Sequence, residues 1–243
     1  TLALEILKEY SQDGYSTLLE DLKYSDFEEV PVDIMTFISD ERYLGRGLYS
    51  VDEFTGERKC TVFPYWIEKL KEILGELVYS DHEDTLQECV GRLLSKHGKT
   101  MSTAESCTGG TISQLITSVP GSSSYFLGGV TSYANQVKSG ILGVPEEILE
   151  QFGAVSSECV AKMAEGVRQI TRSDFSVATS GIAGPGGGST EKPVGMAWIG
   201  VSSSNGTETY KVQYNGDRKR NIERFAAFAL NKLRCKILNE IKL

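Results

Sequence analysis

Histidine is scarce in this chain of 243 residues, which contains only His82 and His97. A Ser-His-Asp triad and a histidine-rich metal site are therefore improbable. The five cysteines are scattered and form no C-x-x-C pair. This pattern argues against a zinc site and is typical of reduced thiols in a cytosolic protein. We accordingly expect a cytoplasmic protein that uses neither a metal nor another cofactor.

Long apolar runs and an excess of basic charge are also missing. No run is long enough to span a bilayer, and the first residues show no signal-peptide pattern, so we expect no membrane partner. The formal net charge is −8, and residues 1–80 alone carry 8 basic and 17 acidic side chains. We therefore expect no direct nucleic-acid binding, since that usually requires a basic surface.

The uneven charge and the hydrophobic periodicity divide the chain into regions. We assign residues 1–62 to a smaller, mostly helical or irregular N-terminal segment of unknown role, in which two short helices are expected within residues 1–24. Residues 63–80 are predicted to form a linker helix, because apolar residues recur on one side of it. A main domain is expected over residues 81–243.

The main domain alternates predicted strands and helices. Thr85 and Glu88 form a capping-box pattern that opens a helix, and His97–Gly98 ends it. Further strands and helices follow, then a hairpin turn at 204–206 and a last helix over about 218–238. This order predicts a three-layer α/β sandwich with a mixed sheet.

The segment from Thr103 to Gly110, with the sequence TAESCTGG, is the most informative stretch. A strand that turns sharply into a helix directs several backbone N–H groups to one point, where the helix dipole favours negative charge. Ser106 supplies a hydroxyl beside those amides, which would suit a nucleophile next to an oxyanion site.

Structural interpretations of the same segment stay open. Ser and Thr before a helix commonly serve only as caps, so Ser106 can be a cap instead of a nucleophile. Cys107 lies at the expected helix start, where a thiol can be reactive, or it is a small buried residue.

Three polar segments follow predicted strands, namely Glu105–Gly110, Tyr133–Lys138 and the glycine-rich Ser180–Thr190. Ligand groups gather at the carboxyl ends of strands in such sheets, so we expect these segments to meet. A fourth cluster, Asp217–Arg220, places basic residues at a helix start, where the dipole disfavours them. An anionic ligand would explain that placement, and simple solvation would as well.

The motifs of residues 75–243 together resemble the C-terminal domain of the competence/damage-inducible protein CinA, a family that includes nicotinamide-nucleotide amidases. Their order carries the resemblance: Thr103–Gly110, Val119–Ser123, Gly143–Val144, Gly153–Ser156, Thr179–Pro185 and Lys192–Gly195. Full-length CinA proteins carry a molybdopterin-binding-like domain before this one, and residues 1–60 show no sign of it.

The resemblance implies an amidohydrolase that converts nicotinamide mononucleotide to nicotinate mononucleotide and ammonia. Ser106 would attack the amide carbon, with Lys138 as base or proton relay and Tyr133 assisting. The amides of Cys107 to Gly109 would stabilise the oxyanion. The full set of expected oxyanion and substrate-binding residues is Glu105, Cys107, Thr108, Gly109, Gly110, Thr179, Gly181, Gly184, Gly186, Arg218 and Arg220.

Several points stay open at this stage. The glycine-rich loop Gly181–Gly188 would wrap the nucleotide or only brace Ser106. Arg218 or Arg220 would bind the phosphate. A non-catalytic nucleotide-binding module of a competence or DNA-damage-related protein is the alternative function. A homodimer is implied by the resemblance alone, and residues 1–60 can act as a docking element.

Overall fold

The computed structural model describes residues 84–241 continuously, together with residues 32–33, 49–51, 58–60, 76 and 78–80. The chain forms two compact units, Thr1–Thr85 and Leu86–Leu243. Within the described residues, no helix combines the length and the apolar character that crossing a bilayer requires.

The described part of the first unit consists mainly of short strands. Strand β1 (Val32–Asp33) pairs in parallel with β4 (Val78–Ser80), and β2 (Tyr49–Val51) pairs antiparallel with β3 (Arg58–Cys60). The helices expected within residues 1–24 lie outside the described residues.

The predicted linker helix over residues 63–80 is wrong at its end, where the chain forms β4. This strand pairs with a segment more than forty residues earlier, and local periodicity does not report such a contact. Apart from Glu76, which has 3-10 geometry, the remainder of that predicted helix lies outside the described residues.

The second unit alternates strands and helices, as predicted. In chain order they are α1 (Leu86–Lys96), β5 (Met101–Glu105), α2 (Thr111–Thr117), β6 (Phe126–Thr131), α3 (Asn135–Gly140), α4 (Glu146–Gln151), α5 (Ser157–Thr171), β7 (Phe175–Gly181), β8 (Met196–Ser203), β9 (Gly206–Gln213) and α6 (Arg218–Ile241). A 3-10 turn, Ser122–Ser124, precedes β6.

The strands of this unit form one mixed five-stranded sheet in the order β6-β5-β7-β8-β9. The first three are parallel, and β8 and β9 are antiparallel to their neighbours. Because β5, β6 and β7 run in the same direction, their carboxyl ends lie at one edge. In this register Glu105 is level with Thr131 on one side and with Thr179 on the other.

Helices cover both faces of the sheet, which confirms the predicted sandwich. Ala104 of β5 packs in a buried cluster with Val160 and Met163 of α5. The preceding residue, Thr103, bonds Ser113 of α2 at 2.7 Å. Since successive side chains of a strand point to opposite faces, α2 and α5 lie on opposite sides. Helix α6 contacts both α1 and α2.

Candidate functional site

Ser106 lies in the turn between β5 and α2, at the edge where the three parallel strands end. Its N–H donates to the Thr179 carbonyl at 3.0 Å, and its own carbonyl accepts from the Gly109 N–H at 3.2 Å. Gly109 and Gly110 have φ values of 63° and 107°, which side chains rarely adopt. The glycine pair therefore allows the strand to turn sharply and leaves Ser106 partly exposed.

The Glu105 carboxylate is buried beneath this turn and caps α2. Its Oε2 accepts hydrogen bonds from the Thr108 hydroxyl at 2.7 Å and from the amides of Gly110 and Ile112 at 3.0 Å each. Its Oε1 accepts from the amide and hydroxyl of Ser113 at 2.8 and 2.7 Å. The expectation that Glu105 binds substrate is therefore wrong, because both oxygens satisfy the orphan N–H groups of the helix start.

Thr108 and Thr179 are also turned into the protein. Their hydroxyls bond each other at 2.7 Å, and both side chains are buried. Neither residue lines the pocket beside Ser106. Thr179 therefore does not bind substrate through its side chain, and Thr108 can take its predicted oxyanion role only through its amide, since both hydroxyls are used in holding the turn.

Lys138 lies on α3, the helix that follows β6, and its side chain contacts Ser106 at the end of the neighbouring strand β5. Its Nζ donates to the carbonyl oxygens of Ser132 at 2.7 Å and Tyr133 at 3.3 Å, and it lies 3.2 Å from the Ser106 Oγ. Burial lowers the pKa of the Lys138 ammonium below its ordinary value of 10.5, and the thiols of Cys159 and Cys107 oppose this only in part. The structure therefore brings together the predicted nucleophile and the predicted base.

Ser132 holds this lysine through its backbone, a role that the sequence did not reveal. Its N–H donates to the Glu105 carbonyl at 2.8 Å, and its carbonyl accepts from Lys138. Its buried hydroxyl has no hydrogen-bond partner among the residues that the structure describes. A main-chain carbonyl is present at every position, so no motif could have singled out this one.

The Cys107 thiol is buried beside Ser106. Only 5% of the residue is exposed, and burial raises the pKa of the thiol to about 12. The thiolate is the nucleophilic form of cysteine, so almost none is available at neutral pH. The buried interpretation of Cys107 is confirmed, and this burial disfavours the thiolate that a reactive cysteine requires.

The oxyanion amides are fewer than the sequence predicted. The N–H of Gly109 is used by the Ser106 carbonyl, and the N–H of Gly110 by Glu105. No carbonyl or side chain of another described residue accepts from the amides of Cys107 and Thr108. These two amides, which follow Ser106 directly, are therefore the ones that can bind an oxyanion.

An open pocket of about 260 Å³ lies next to Ser106. Tyr133 and Arg218 line it on one side, and the loop after β7 supplies much of the remaining wall. The lining residues are Ser106, Cys107, Tyr133, Gly181, Ile182, Ala183, Gly184, Gly186, Gly187 and Arg218. The predicted convergence of the three strand-end segments is confirmed, and Ile182, Ala183 and Gly187 are lining residues that the sequence analysis did not name.

The first turn of α6 holds this loop in place. The buried Asn221 side chain donates to the carbonyls of Ala183 at 3.0 Å and Gly216 at 2.9 Å, and accepts from the Gly216 N–H. Arg218 donates from one guanidinium nitrogen to the Gly184 carbonyl at 2.8 Å. The loop is thus a fixed wall of mostly main-chain atoms.

Of the two arginine candidates, the structure places Arg218 at the pocket. Its second guanidinium nitrogen lies 3.4 Å from the Tyr133 hydroxyl, and no carboxylate among the described residues pairs with it. Arg220 is exposed and does not line the pocket, and its amide is capped by the Asp217 carboxylate at 2.8 Å. The prediction that Arg220 contacts the ligand is therefore not supported.

Comparison with known proteins agrees with this fold. Residues 83–237 match the family model described as the CinA C-terminal domain. The chain belongs to the CinA family. It is 45% identical over 168 residues to a CinA-like protein of Thermotoga neapolitana, and 47% identical over 170 residues to one of Fervidobacterium nodosum. These matches cover 69% and 70% of the chain but only 41% and 42% of the relatives, so the chain matches about two fifths of their length.

Solved CinA structures share the fold. The competence/damage inducible protein CihA from Agrobacterium tumefaciens superposes with a TM-score of 0.59 at 38% identity, covering 62% of this chain and 94% of that one. A CinA superfamily protein from Klebsiella pneumoniae gives a TM-score of 0.62 at 30% identity, covering 63% and 96%. The shared region is thus nearly the whole of each CinA structure.

Replacing Glu105 by glutamine is expected to lower the free energy of unfolding by about 3 kcal/mol, because an amide nitrogen cannot accept and leaves buried N–H donors without a partner. Urea unfolding at neutral pH measures the loss. The control is Glu150→Gln, an exposed carboxylate in α4, which should change stability by less than about 0.5 kcal/mol. Equal stabilities of the two variants would contradict the capping role of Glu105.

Proposed function

We propose that the Leu86–Leu243 unit hydrolyses the carboxamide of nicotinamide mononucleotide, releasing nicotinate mononucleotide and ammonia, with Ser106 as nucleophile and Lys138 as base. One observation carries the proposal: the Lys138 Nζ lies 3.2 Å from the Ser106 Oγ beside a pocket. The names of the relatives describe CinA-like and competence or damage-inducible proteins, and they specify no reaction.

The contacts of Lys138 favour a base. An amino group has four tetrahedral directions, one of them taken by its own carbon. Two others point to the carbonyls of Ser132 and Tyr133, which accept and can never donate. When the amine is neutral, its lone pair is left for the remaining direction, toward the Ser106 hydroxyl. Burial favours this neutral form, because it penalises the charged one.

The reaction then proceeds by acyl transfer. The Ser106 Oγ bonds to the amide carbon while its proton passes to Lys138, and the carbonyl oxygen becomes an oxyanion. The Lys138 ammonium next donates a proton to the amide nitrogen, the C–N bond breaks and ammonia leaves. A water molecule attacks the resulting ester with Lys138 again as base, which releases the carboxylate product and restores Ser106.

The turn supports this chemistry with the amides of Cys107 and Thr108. They directly follow the nucleophile and are free to donate to the oxyanion, which carries its full charge only after attack. A preorganised donor of this kind contributes about 3 kcal/mol to the transition state. The helix start of α2 does not compete for them, because Glu105 already satisfies its amides.

The pocket fits a phosphorylated ring compound. Its glycine-lined wall lets a ligand approach the main chain closely, and Tyr133 offers a largely exposed aromatic ring, with 65% of the residue accessible. Arg218 brings a cationic guanidinium that a phosphate can pair with bidentately. The dipole of α6 adds to this attraction, because its N-terminal end carries Arg218.

Purified protein should release ammonia from nicotinamide mononucleotide, and Ser106→Ala should reduce the rate at least about 1,000-fold because it removes the nucleophile. A coupled ammonia assay measures both. Ser118→Ala changes an exposed serine at the far end of α2 and should leave the rate unchanged. Absence of turnover in the wild type would reject the proposal. Thermal stabilisation by the nucleotide without product would instead favour a non-catalytic nucleotide-binding module.

The pH dependence of kcat/KM should report the protonation of the Lys138 amine. Since the base acts only when neutral, kcat/KM should rise with pH through the pKa of Lys138 and then level off. Burial lowers that pKa, so the midpoint should lie below 10.5. Lys138→Arg should lose activity at every pH tested, because a guanidinium stays protonated. A rate that is flat in pH, or a midpoint at or above 10.5, would contradict the role of Lys138.

Arg218→Met should raise KM for nicotinamide mononucleotide about 10-fold to 100-fold, because a charge-assisted contact to phosphate is lost. The same change should have little effect on nicotinamide riboside, which lacks the phosphate. Arg220→Met is the matched control and should alter neither KM. Steady-state kinetics with both substrates checks this, and an equal effect of the two arginine variants would rule out Arg218 as the phosphate ligand.

A further inference from the structure

Thr179 is a buried residue of β7 that contacts the whole nucleophile turn. Its carbonyl accepts from the Ser106 N–H at 3.0 Å, and its hydroxyl bonds the Thr108 hydroxyl at 2.7 Å. One residue of a central strand thus bonds both Ser106 and Thr108.

The direction of the hydroxyl chain follows from the carboxylate at its end. Glu105 can only accept, so the Thr108 hydroxyl uses its single proton to bond it. The Thr108 oxygen must then accept from the Thr179 hydroxyl. Thr179 therefore donates its proton toward the turn, and the chain runs from β7 through Thr108 to the buried carboxylate.

These contacts determine which amides of the turn are left without an acceptor among the described residues. The Ser106 N–H already donates to the Thr179 carbonyl, so the oxyanion donors are limited to the amides of Cys107 and Thr108. The side chain of Thr108, the second donor residue, is held at its oxygen by the Thr179 hydroxyl. A misplacement of such donors by about 1 Å can lower the catalytic rate about 100-fold.

We propose that Thr179 is a positioning residue that fixes the amides of Cys107 and Thr108 in the orientation that binds the oxyanion. This inference rests on the proposed acyl-transfer reaction of Ser106. It assigns Thr179 no contact with substrate, and it predicts that the hydroxyl matters for the chemical step and not for substrate binding.

The experiment compares two substitutions in the whole chain. Thr179→Val keeps the shape but removes the hydroxyl, and should lower kcat about 10-fold to 100-fold while KM changes less than about twofold. Thr179→Ser keeps the hydroxyl but loses a buried methyl group, and should retain kcat within about threefold although its urea midpoint falls. Ser176→Ala is the control, because it removes another buried hydroxyl of β7 that bonds Ala164 instead. It should lower stability and leave kcat unchanged.

A second measurement tests the role of Thr179 independently of the identity of the substrate. The rate at which a fluorophosphonate labels Ser106 depends on the same nucleophile and amides, without any nucleotide. Slower labelling of Thr179→Val than of Thr179→Ser supports the inference even if nicotinamide mononucleotide is not turned over. The inference is overturned if kcat and labelling follow stability across the three variants, or if Thr179→Val behaves as the wild type. A wild-type protein that is neither labelled nor active would overturn both this inference and the proposed function.

Discussion

A buried carboxylate, Glu105, is the constraint on which the rest of the site depends. It takes hydrogen bonds from the first amides of α2 and from two hydroxyls, which satisfy both oxygens with no cationic side chain paired to them in the described part of the chain. This arrangement joins the end of β5 to the start of α2 through one side chain. The intervening turn is therefore short and fixed, and it presents Ser106 at the sheet edge with two unused amides behind it.

The second charged group at the site, Lys138, is held differently. It lies in a buried position, no carboxylate among the described residues pairs with it, and main-chain carbonyls take up two of its N–H directions. Five hydrogen bonds satisfy the oxygens of Glu105, whereas two main-chain carbonyls compensate Lys138 only in part for its burial, which lowers its pKa. This contrast gives the two residues separate roles, the carboxylate as a structural cap and the amine as a group that can give up its proton.

The sequence predicted much of this arrangement because its signals are local. Capping residues and glycine turns indicated where helices and strands begin and end. The parallel order of three strands then brought Ser106, Lys138 and the loop from Gly181 onward to one edge of the sheet. The wrong predictions within the site concern the direction of side chains. Thr108 bonds Thr179, a residue 71 positions away, so the sequence near either one does not reveal that both face inward. An acidic residue before a helix start could have indicated the cap, since such carboxylates commonly accept from the first helical amides.

The central claim is that Ser106 forms a covalent bond with the substrate carbonyl when Lys138 removes its proton. Acid-quench mass spectrometry of the protein, sampled within the first turnovers with nicotinamide mononucleotide, tests this most directly. The account predicts one acyl adduct that maps to the peptide containing Ser106 and is absent from Lys138→Ala. Rapid product formation with no adduct, or an adduct on the thiol of Cys107, would contradict it.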